Sequence, residues 1–273
     1  MRIAFANLGA PKYGAYVVLT GEGSVMSAPA KEADKALGGA ITRAATSLDL
    51  KGKLGEIIDV PTPLKVSYER LLAVSVGDSA KLDARAAQDM GGTIYAKLSS
   101  GGLKQVSIAC VTPGKASLSD EALAAEIAFG MQLAAYRFSK YRTKGLEAEA
   151  PTLSGVRILT PSHANARKQF GKLEKIADGV FMARDLLEEP PNVLYPESFA
   201  KRCEELVKLG VEVDVLDTEQ MRKLGMGSLL GVAMGSARPG RLVTMRWRGK
   251  KRGSGPLALV GKGVTFDTGG ISI

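Results

Sequence analysis

The sequence predicts an α/β protein in which a mostly parallel sheet is covered by helices. Short apolar runs typical of strands alternate with longer segments of helical composition along most of the chain. Strands separated by helices of this length form βαβ units, in which neighbouring strands run parallel. The chain has 273 residues, of which 45% are hydrophobic and 24% charged. This composition excludes wholesale disorder, and the length suffices for one large domain or two ordinary ones.

Six strand-like runs occur in the N-terminal part of the chain, and polar residues follow them. They are IAFAN, AYVVLT, LGEIIDVP, LLAVSVG, QVSIAC and VRILT. The first apolar run is short, and Pro11 and Lys12 interrupt it, so a first strand is favoured over a signal peptide. The turn-rich segment 145–155 places the end of a first domain near its C-terminal side. We therefore expect a first domain at residues 1–160.

Three helices are predicted between these strands. Residues 31–47 have helical composition, although Gly38 and Gly39 weaken this prediction. Residues 81–98 form the second candidate. The clearest pattern spans 119–141, where apolar residues recur at spacings of three and four after a Ser-Asp start.

Residues 161–273 predict a second, incomplete α/β unit. A long helical stretch at 164–187 precedes Pro190 and Pro191, which stop any helix. The later segments read as helices in PESFAKRCEELVKLG and TEQMRKLG, and as strands in VEVDVLD, RLVTMRW and PLALVG, the last a buried one. So few strands would leave a sheet edge and one face uncovered, so we expect only the start of a larger domain here.

The net charge of +9 and the pI of about 9.5 would allow contact with polyanions. Most basic residues are dispersed, however. The densest cluster surrounds the single tryptophan and consists of Arg246, Trp247, Arg248, Lys250, Lys251 and Arg252. A solvated strand end explains this cluster best, and a nucleic-acid contact patch is the alternative.

Cysteine and histidine are too sparse to suggest a site of their own. Cys110 and Cys203 lie far apart without CxxC spacing, which favours buried structural thiols in a reducing compartment. The single histidine, His163, is interpreted as a helix-start or surface residue. Since no run of roughly 18 apolar residues occurs, no membrane contact is expected, and a cytoplasmic location is predicted.

The most unusual segment is GKGVTFDTGG at residues 261–270. Lys262 follows an apolar run, Asp267 comes five residues later, and glycines allow close approach of the backbone to a ligand. Ligands of open α/β sheets bind outside the carboxyl ends of strands, where this loop would lie. A phosphate-binding P-loop is excluded, because Pro256 and Gly263 break its pattern twice. From the residues alone, a Lys–Asp ion pair and a metal or anion site both stay open.

The segment VGKGVTFDTGGISI resembles the first metal motif of the leucine (cytosol) aminopeptidase family nearly letter for letter. Residues 183–200 resemble the family's entry into its catalytic domain, although Glu188 stands where asparagine is usual. Residues 225–247 resemble the family's helix-and-strand segment before the metal loop. These three matches occur in the family's order and spacing, and they cover roughly the last 90 residues.

For the fold, this resemblance implies a macro-domain-like α/β domain at 1–160. Residues 161–273 would then be a linker helix and the truncated start of the metallopeptidase catalytic domain. The family assembles as a homo-hexamer. The same assembly is less expected for this chain if it is a fragment.

For function, the resemblance implies a metalloaminopeptidase that releases N-terminal amino acids from peptide substrates with two divalent ions, Mn or Zn. Lys262 would be a neutral amine ligand and Asp267 a carboxylate ligand between the ions. The remaining metal carboxylates, the catalytic lysine and the catalytic arginine are expected beyond Ile273, so we expect this chain alone to be inactive. Two rival functions are DNA binding through the basic surface and a macro-like module for a nucleotide-type ligand.

Overall fold

The computed structural model describes residues 1–62, 65–145, 150–249 and 255–265. The chain forms two compact units, Met1–Ala183 and Arg184–Ile273. The domain end near residue 160 stays a prediction. Over the described residues, none of the helices is both long and apolar enough to span a bilayer.

The first unit is a six-stranded sheet with helices on both faces. Its strands are β1 (Arg2–Ala6), β2 (Ala15–Thr20), β3 (Ile57–Pro61), β4 (Arg70–Ser75), β5 (Gln105–Ala109) and β6 (Gly155–Leu159). Its helices are α1 (Ala28–Ala36), α2 (Ala40–Ser47), α3 (Ala84–Leu98), α4 (Asp120–Ala134) and α5 (His163–Leu187), the last of which extends past Ala183. The strand order is β1-β6-β5-β2-β4-β3, and only β3 runs antiparallel to its neighbour. The predicted α/β class with a mostly parallel sheet is confirmed.

The sheet separates the core into two layers, and strand β2 contributes side chains to both. All six of its residues are buried, as expected for a strand covered on both faces. Val17 and Leu19 face a core that includes residues of α3, α4 and α5. Val18 faces the opposite core, to which α1 and α2 contribute. The alternation of side chains along one strand therefore produces the helix–sheet–helix layering.

The single helix predicted at 31–47 is divided into α1 and α2. Gly38 and Gly39 have φ angles of +62° and +84°, which a helix interior does not allow. Asp34 then stabilises the new helix start, since its Oδ1 accepts hydrogen bonds from the backbone N–H of Ile41 at 2.7 Å and of Thr42 at 3.2 Å. The glycine pair thus ends one helix and orients the next.

The helix predicted at 119–141 ends early, at Ala134. Leu133 and Ala135, at the end of the helix, still pack against the core as partly buried residues, whereas Phe138 and Tyr141 lie beyond the helix. Phe138 and Tyr141 contact each other at a ring separation of 5.8 Å outside the helix. These two residues continue the helical spacing of the sequence, but they do not belong to the helix.

An ion-pair cluster attaches the edge strand β3 to its neighbours. Arg70 Nε and Nη2 donate to the two carboxylate oxygens of Asp59 at 2.7 and 2.5 Å, and Lys97 Nζ lies 3.2 Å from the same carboxylate. The hydrogen bond from Arg70 is the main reason that the pKa of Asp59 lies below its ordinary value. Because the folded pKa is depressed, the pair stabilises the fold above the ordinary carboxyl pKa and loses this contribution as pH falls.

The second unit contains a two-stranded antiparallel sheet and short helices. Its elements are α6 (Pro196–Glu204), β7 (Glu212–Leu216), α7 (Thr218–Lys223), α8 (Gly227–Ala233) and β8 (Leu242–Arg246), with a 3-10 helix at Glu205–Leu209 after α6. The helices predicted from PESFAKRCEELVKLG and TEQMRKLG and the strands from VEVDVLD and RLVTMRW are confirmed. Helix α8 was expected only through the family resemblance.

The buried strand predicted for PLALVG is wrong for the described residues. No strand occurs within 255–265, and Leu257, Leu259 and Val260 are 88%, 90% and 99% exposed. An apolar run becomes a buried strand only where a neighbouring strand supplies hydrogen bonds and a covering layer supplies contacts. In the described part of this unit, β7 and β8 pair only with each other. The described part of the segment therefore has no strand hydrogen bonding.

Candidate metal-binding loop

Helix α6 carries Phe199, which approaches the candidate loop. Pro196 occupies its first turn, and the backbone N–H of Tyr195 donates to Ser198 Oγ at 2.9 Å, which satisfies a donor at the helix start. Ala200 and Cys203 form its buried side, and the helix packs against β7 and β8. The sequence thus places a well-defined helix beside the sheet of the second unit.

Lys262 lies in an exposed stretch without assigned secondary structure. Residues 255–264 are all exposed, and only Thr265 at the end of the described stretch is partly covered. Gly263 is the contact point: a Cβ added there would lie 3.0 Å from Cε1 of the Phe199 ring on α6. Lys262 therefore directly precedes in sequence the residue whose backbone approaches α6.

The second predicted ligand, Asp267, lies outside the described residues. The described residues of the loop, 255–265, include no carboxylate, so the pairing of Lys262 with Asp267 stays a prediction. Within the described residues, no group of three or more histidine, cysteine, aspartate or glutamate side chains could hold a metal ion. An amine and a carboxylate are chemically suitable donors, but a structural or catalytic site needs about four or more. The described residues alone do not fit a complete two-metal centre.

The basic cluster around Trp247 is partly neutralised. Glu212 accepts hydrogen bonds from Arg248 Nε at 2.6 Å and from Arg246 Nη1 at 3.3 Å, across the antiparallel pair β7–β8. The hydrogen bond from Arg248 chiefly lowers the pKa of the Glu212 carboxyl. Lys250, Lys251 and Arg252 lie outside the described residues. Two of the five basic side chains thus serve a cross-strand ion pair, which favours the solvated strand end.

The cysteines and the histidine behave as predicted. Cys110 and Cys203 are buried and free, and burial raises the pKa of both thiols, which keeps them protonated and unreactive. His163 is the first residue of α5.

A small cavity lies at the carboxyl ends of β2 and β4, where an open sheet would bind a ligand. Its lining includes Thr20, Gly21 and Ser75, and its volume is about 20 Å³. That space accommodates about one water molecule. It gives no support to a nucleotide-type ligand at this edge.

Sequence reasoning missed two contacts of the second unit. The Phe199–Gly263 contact joins α6 to the loop, and the Arg238 guanidinium lies 4.0 Å from the centre of the Tyr195 ring. For the Phe199–Gly263 contact, the only signal in the sequence was Gly263 itself, since a glycine in a ligand loop often marks a close approach of the backbone to another group. Nothing in the sequence pairs this glycine with Phe199.

Family models match two consecutive stretches of the chain. The N-terminal domain of the cytosol aminopeptidase family matches residues 17–145, and the catalytic domain of the same family matches residues 181–273. The second match includes the whole candidate loop. The chain belongs to the cytosol aminopeptidase family, whose members are metallopeptidase hydrolases.

Individual relatives agree with this assignment. A protein of Bradyrhizobium sp. strain BTAi1 named "Probable cytosol aminopeptidase" is 43% identical over 276 residues, covering 100% of this chain and 54% of its own length. A protein of the same name from Rhodopseudomonas palustris strain BisA53 is 44% identical over 274 residues, covering 99% and 54%. The chain thus spans about half the length of the curated relatives it matches.

Solved structures support the fold. A mutant of tomato leucine aminopeptidase matches with a TM-score of 0.82 at 23% identity, over 98% of this chain and 55% of that one. The bottromycin maturation enzyme BotP in complex with Mn matches with a TM-score of 0.65 at 21% identity, over 88% and 46%. At these identities the likeness concerns the fold alone.

Proposed function

We propose that this chain supplies the N-terminal domain and the first metal-binding loop of a cytoplasmic aminopeptidase that releases N-terminal amino acids from peptides. The observation that carries the proposal is the match of two domains of one family, in order, with GKGVTFDTGG inside the second. The domain division near residue 160 and a homo-hexameric assembly belong to the same proposal. The domain division rests on the turn-rich segment 145–155, and the hexamer follows from the family resemblance.

Lys262 and Asp267 are the proposed metal ligands, as an amine to one ion and a carboxylate between two ions. Mn and Zn are the proposed ions, since carboxylate and nitrogen donors suit both. When bound, such ions polarise a scissile carbonyl and activate water. The exposed position of Lys262 supports the proposal, because its amine is accessible to an ion and to further donors.

The further donors and the catalytic residues are proposed to come from the part of the relatives' length that this chain does not span. This chain covers 54% of its bacterial relatives, and its described residues hold no cluster of three metal ligands. Nucleic-acid binding is not carried forward as a second function. The two described arginines of the basic cluster are engaged with Glu212, and no other observation favours it.

Purified residues 1–273 are expected to release no leucine from a leucyl amide above the rate of the metal salt alone. The reason is that two ligands do not assemble a two-metal centre. The assay compares Mn²⁺, Zn²⁺ and chelator, and the full-length Bradyrhizobium relative serves as the positive control. Appreciable metal-dependent release by 1–273 would overturn the proposed dependence on further donors.

A further inference from the structure

We propose that Phe199 is a positioning residue, which holds the loop that carries Lys262 against α6. The significance for catalysis rests on the proposed function, because the position of Lys262 matters only where its amine binds a metal ion. The placement itself rests on contacts within the second unit.

The first support is a difference among the glycines of the loop. Residues 255–264 are all exposed, but Gly255 and Gly261 would meet nothing within 4 Å if a Cβ were added. Gly263 differs, because an added Cβ would lie 3.0 Å from Phe199 Cε1 and 3.6 Å from Cδ1. The ring therefore touches the chain one residue after Lys262.

The second support is the rigidity of the ring's own element. Phe199 donates its backbone N–H to Tyr195 O at 2.8 Å in the first turn of α6. The next residue, Ala200, is buried, and so is Cys203 one turn later. These contacts fix α6 on β7 and β8, so the partly buried ring projects from a fixed position.

The third support is the close fit at Gly263. A Cβ only 3.0 Å from the ring edge is tighter than ordinary van der Waals contact, so a larger residue there requires the ring or the loop to shift by a few tenths of an ångström. Glycine lets the backbone approach the ring, which is the usual reason for glycine where a chain passes closely. Phe199 and Gly263 therefore act as a matched pair. Their contact determines the position of the backbone from which the Lys262 side chain extends.

Trypsin cleavage after Lys262 tests this inference on the full chain 1–273, without metal or substrate. The protease must lift Gly263 from the ring before it can cleave the Lys262–Gly263 bond, so the rate reports how often the contact opens. Cleavage after Lys115, in an exposed bend of the first unit, is the internal reference. Both rates are followed by mass spectrometry in the same digest.

Phe199→Ala is expected to accelerate cleavage after Lys262 at least about fivefold, while cleavage after Lys115 is unchanged. Phe199→Tyr keeps the ring edge and is expected to restore the slow rate. Leu257→Ala, which removes an exposed apolar side chain of the same stretch, is the matched control and should have no effect.

Gly263→Val tests the other partner. It should accelerate cleavage after Lys262, and combining it with Phe199→Ala should give less than the product of the two single effects, because the smaller residue makes room for valine. The proposal is overturned if the two substitutions accelerate cleavage after Lys262 independently, so that the double variant gives the product of the single effects. It is also overturned if Phe199→Ala changes the rate of cleavage after Lys262 by no more than about twofold. An equal acceleration at Lys115 also overturns it, since that indicates general unfolding. Because no activity is measured, failure of the peptidase assignment would leave this result interpretable.

Discussion

Gly130→Ala is expected to lower the free energy of unfolding of the first unit by about 3 kcal/mol. This is the upper end of the usual destabilisation when atoms are added to a well-packed core. Helices α3 and α4 cross so closely that a Cβ at Gly130 would overlap the backbone carbonyl of Gln88. On the opposite helix, a Cβ at Gly91 would overlap the carbonyl of Ile127. Because backbone atoms cannot rotate away as side chains can, the helices would have to separate.

Separation of α3 and α4 would also strain the contacts between them. Gln88 Nε2 donates to Glu126 Oε2 at 2.7 Å, and Met90, Ile94 and Leu123 are buried in the adjoining core. A loss of about 3 kcal/mol corresponds to a decrease in Tm of about 6–12 °C for a unit of this size. Circular dichroism is the suitable probe, since the single tryptophan belongs to the second unit.

Gly92→Ala is the matched control for Gly130→Ala. It lies on the same helix as Gly91, but its added Cβ would meet only the Ala134 side chain, at 3.9 Å. With space available, alanine is expected to stabilise the helix by about 0.5–1 kcal/mol. If Gly130→Ala and Gly92→Ala had the same effect on Tm, the result would contradict the close approach of α3 and α4 at Gly130.

Phe170→Ala is expected to lower the free energy of unfolding by about 4 kcal/mol, in the range for a fully buried phenylalanine. Phe170 is 1% exposed and lies on α5 against the sheet. Its ring centre is 5.4 Å from that of Phe5 on the edge strand β1, and the Arg167 guanidinium is 5.4 Å from its centre. Removing the ring leaves a cavity between α5 and β1.

Ile176→Ala controls for changes to α5 that leave the core intact. Ile176 is 55% exposed on the same helix, so its truncation should change stability by no more than about 0.5 kcal/mol. Urea unfolding followed by circular dichroism distinguishes the two variants. An effect of Phe170→Ala as small as that of Ile176→Ala would contradict the packing of α5 on β1.

Much of the first unit could be predicted because its signals are local. An apolar run such as AYVVLT forms a strand buried on both faces, and a Ser-Asp start before periodic apolar residues marks α4. The pair Gly38 and Gly39 weakened the prediction of one helix at 31–47, but the division into α1 and α2 was not predicted. What local signals did not provide was the capping of α2 by Asp34, which lies in the preceding helix.

The errors arose where the outcome depends on distant partners. Phe138 and Tyr141 continue a helical spacing, but helix α4 ends at Ala134. PLALVG has the composition of a buried strand, yet no described strand pairs with it. Periodicity and composition report what a segment could bury, whereas the partner that buries it is specified elsewhere in the chain.

The candidate site divides in the same way. Lys262 was found from the glycine-rich loop and its resemblance to a metal motif, both of which are local. The contact of Phe199 with Gly263 joins segments distant in sequence, so no spacing could indicate it. The proposed role of Asp267 stays a prediction, since it lies outside the described residues.

Metal dependence of the intact protein tests the central claim most directly. The measurement is leucyl amide hydrolysis by a full-length protein carrying this chain, before and after treatment with a chelator, for the original sequence and for Asp267→Asn. If Lys262 and Asp267 hold divalent ions, the chelator abolishes hydrolysis, added Mn²⁺ or Zn²⁺ restores it, and Asp267→Asn is not restored. Undiminished hydrolysis in the chelator, or in Asp267→Asn, would contradict the assignment of this loop as a metal site.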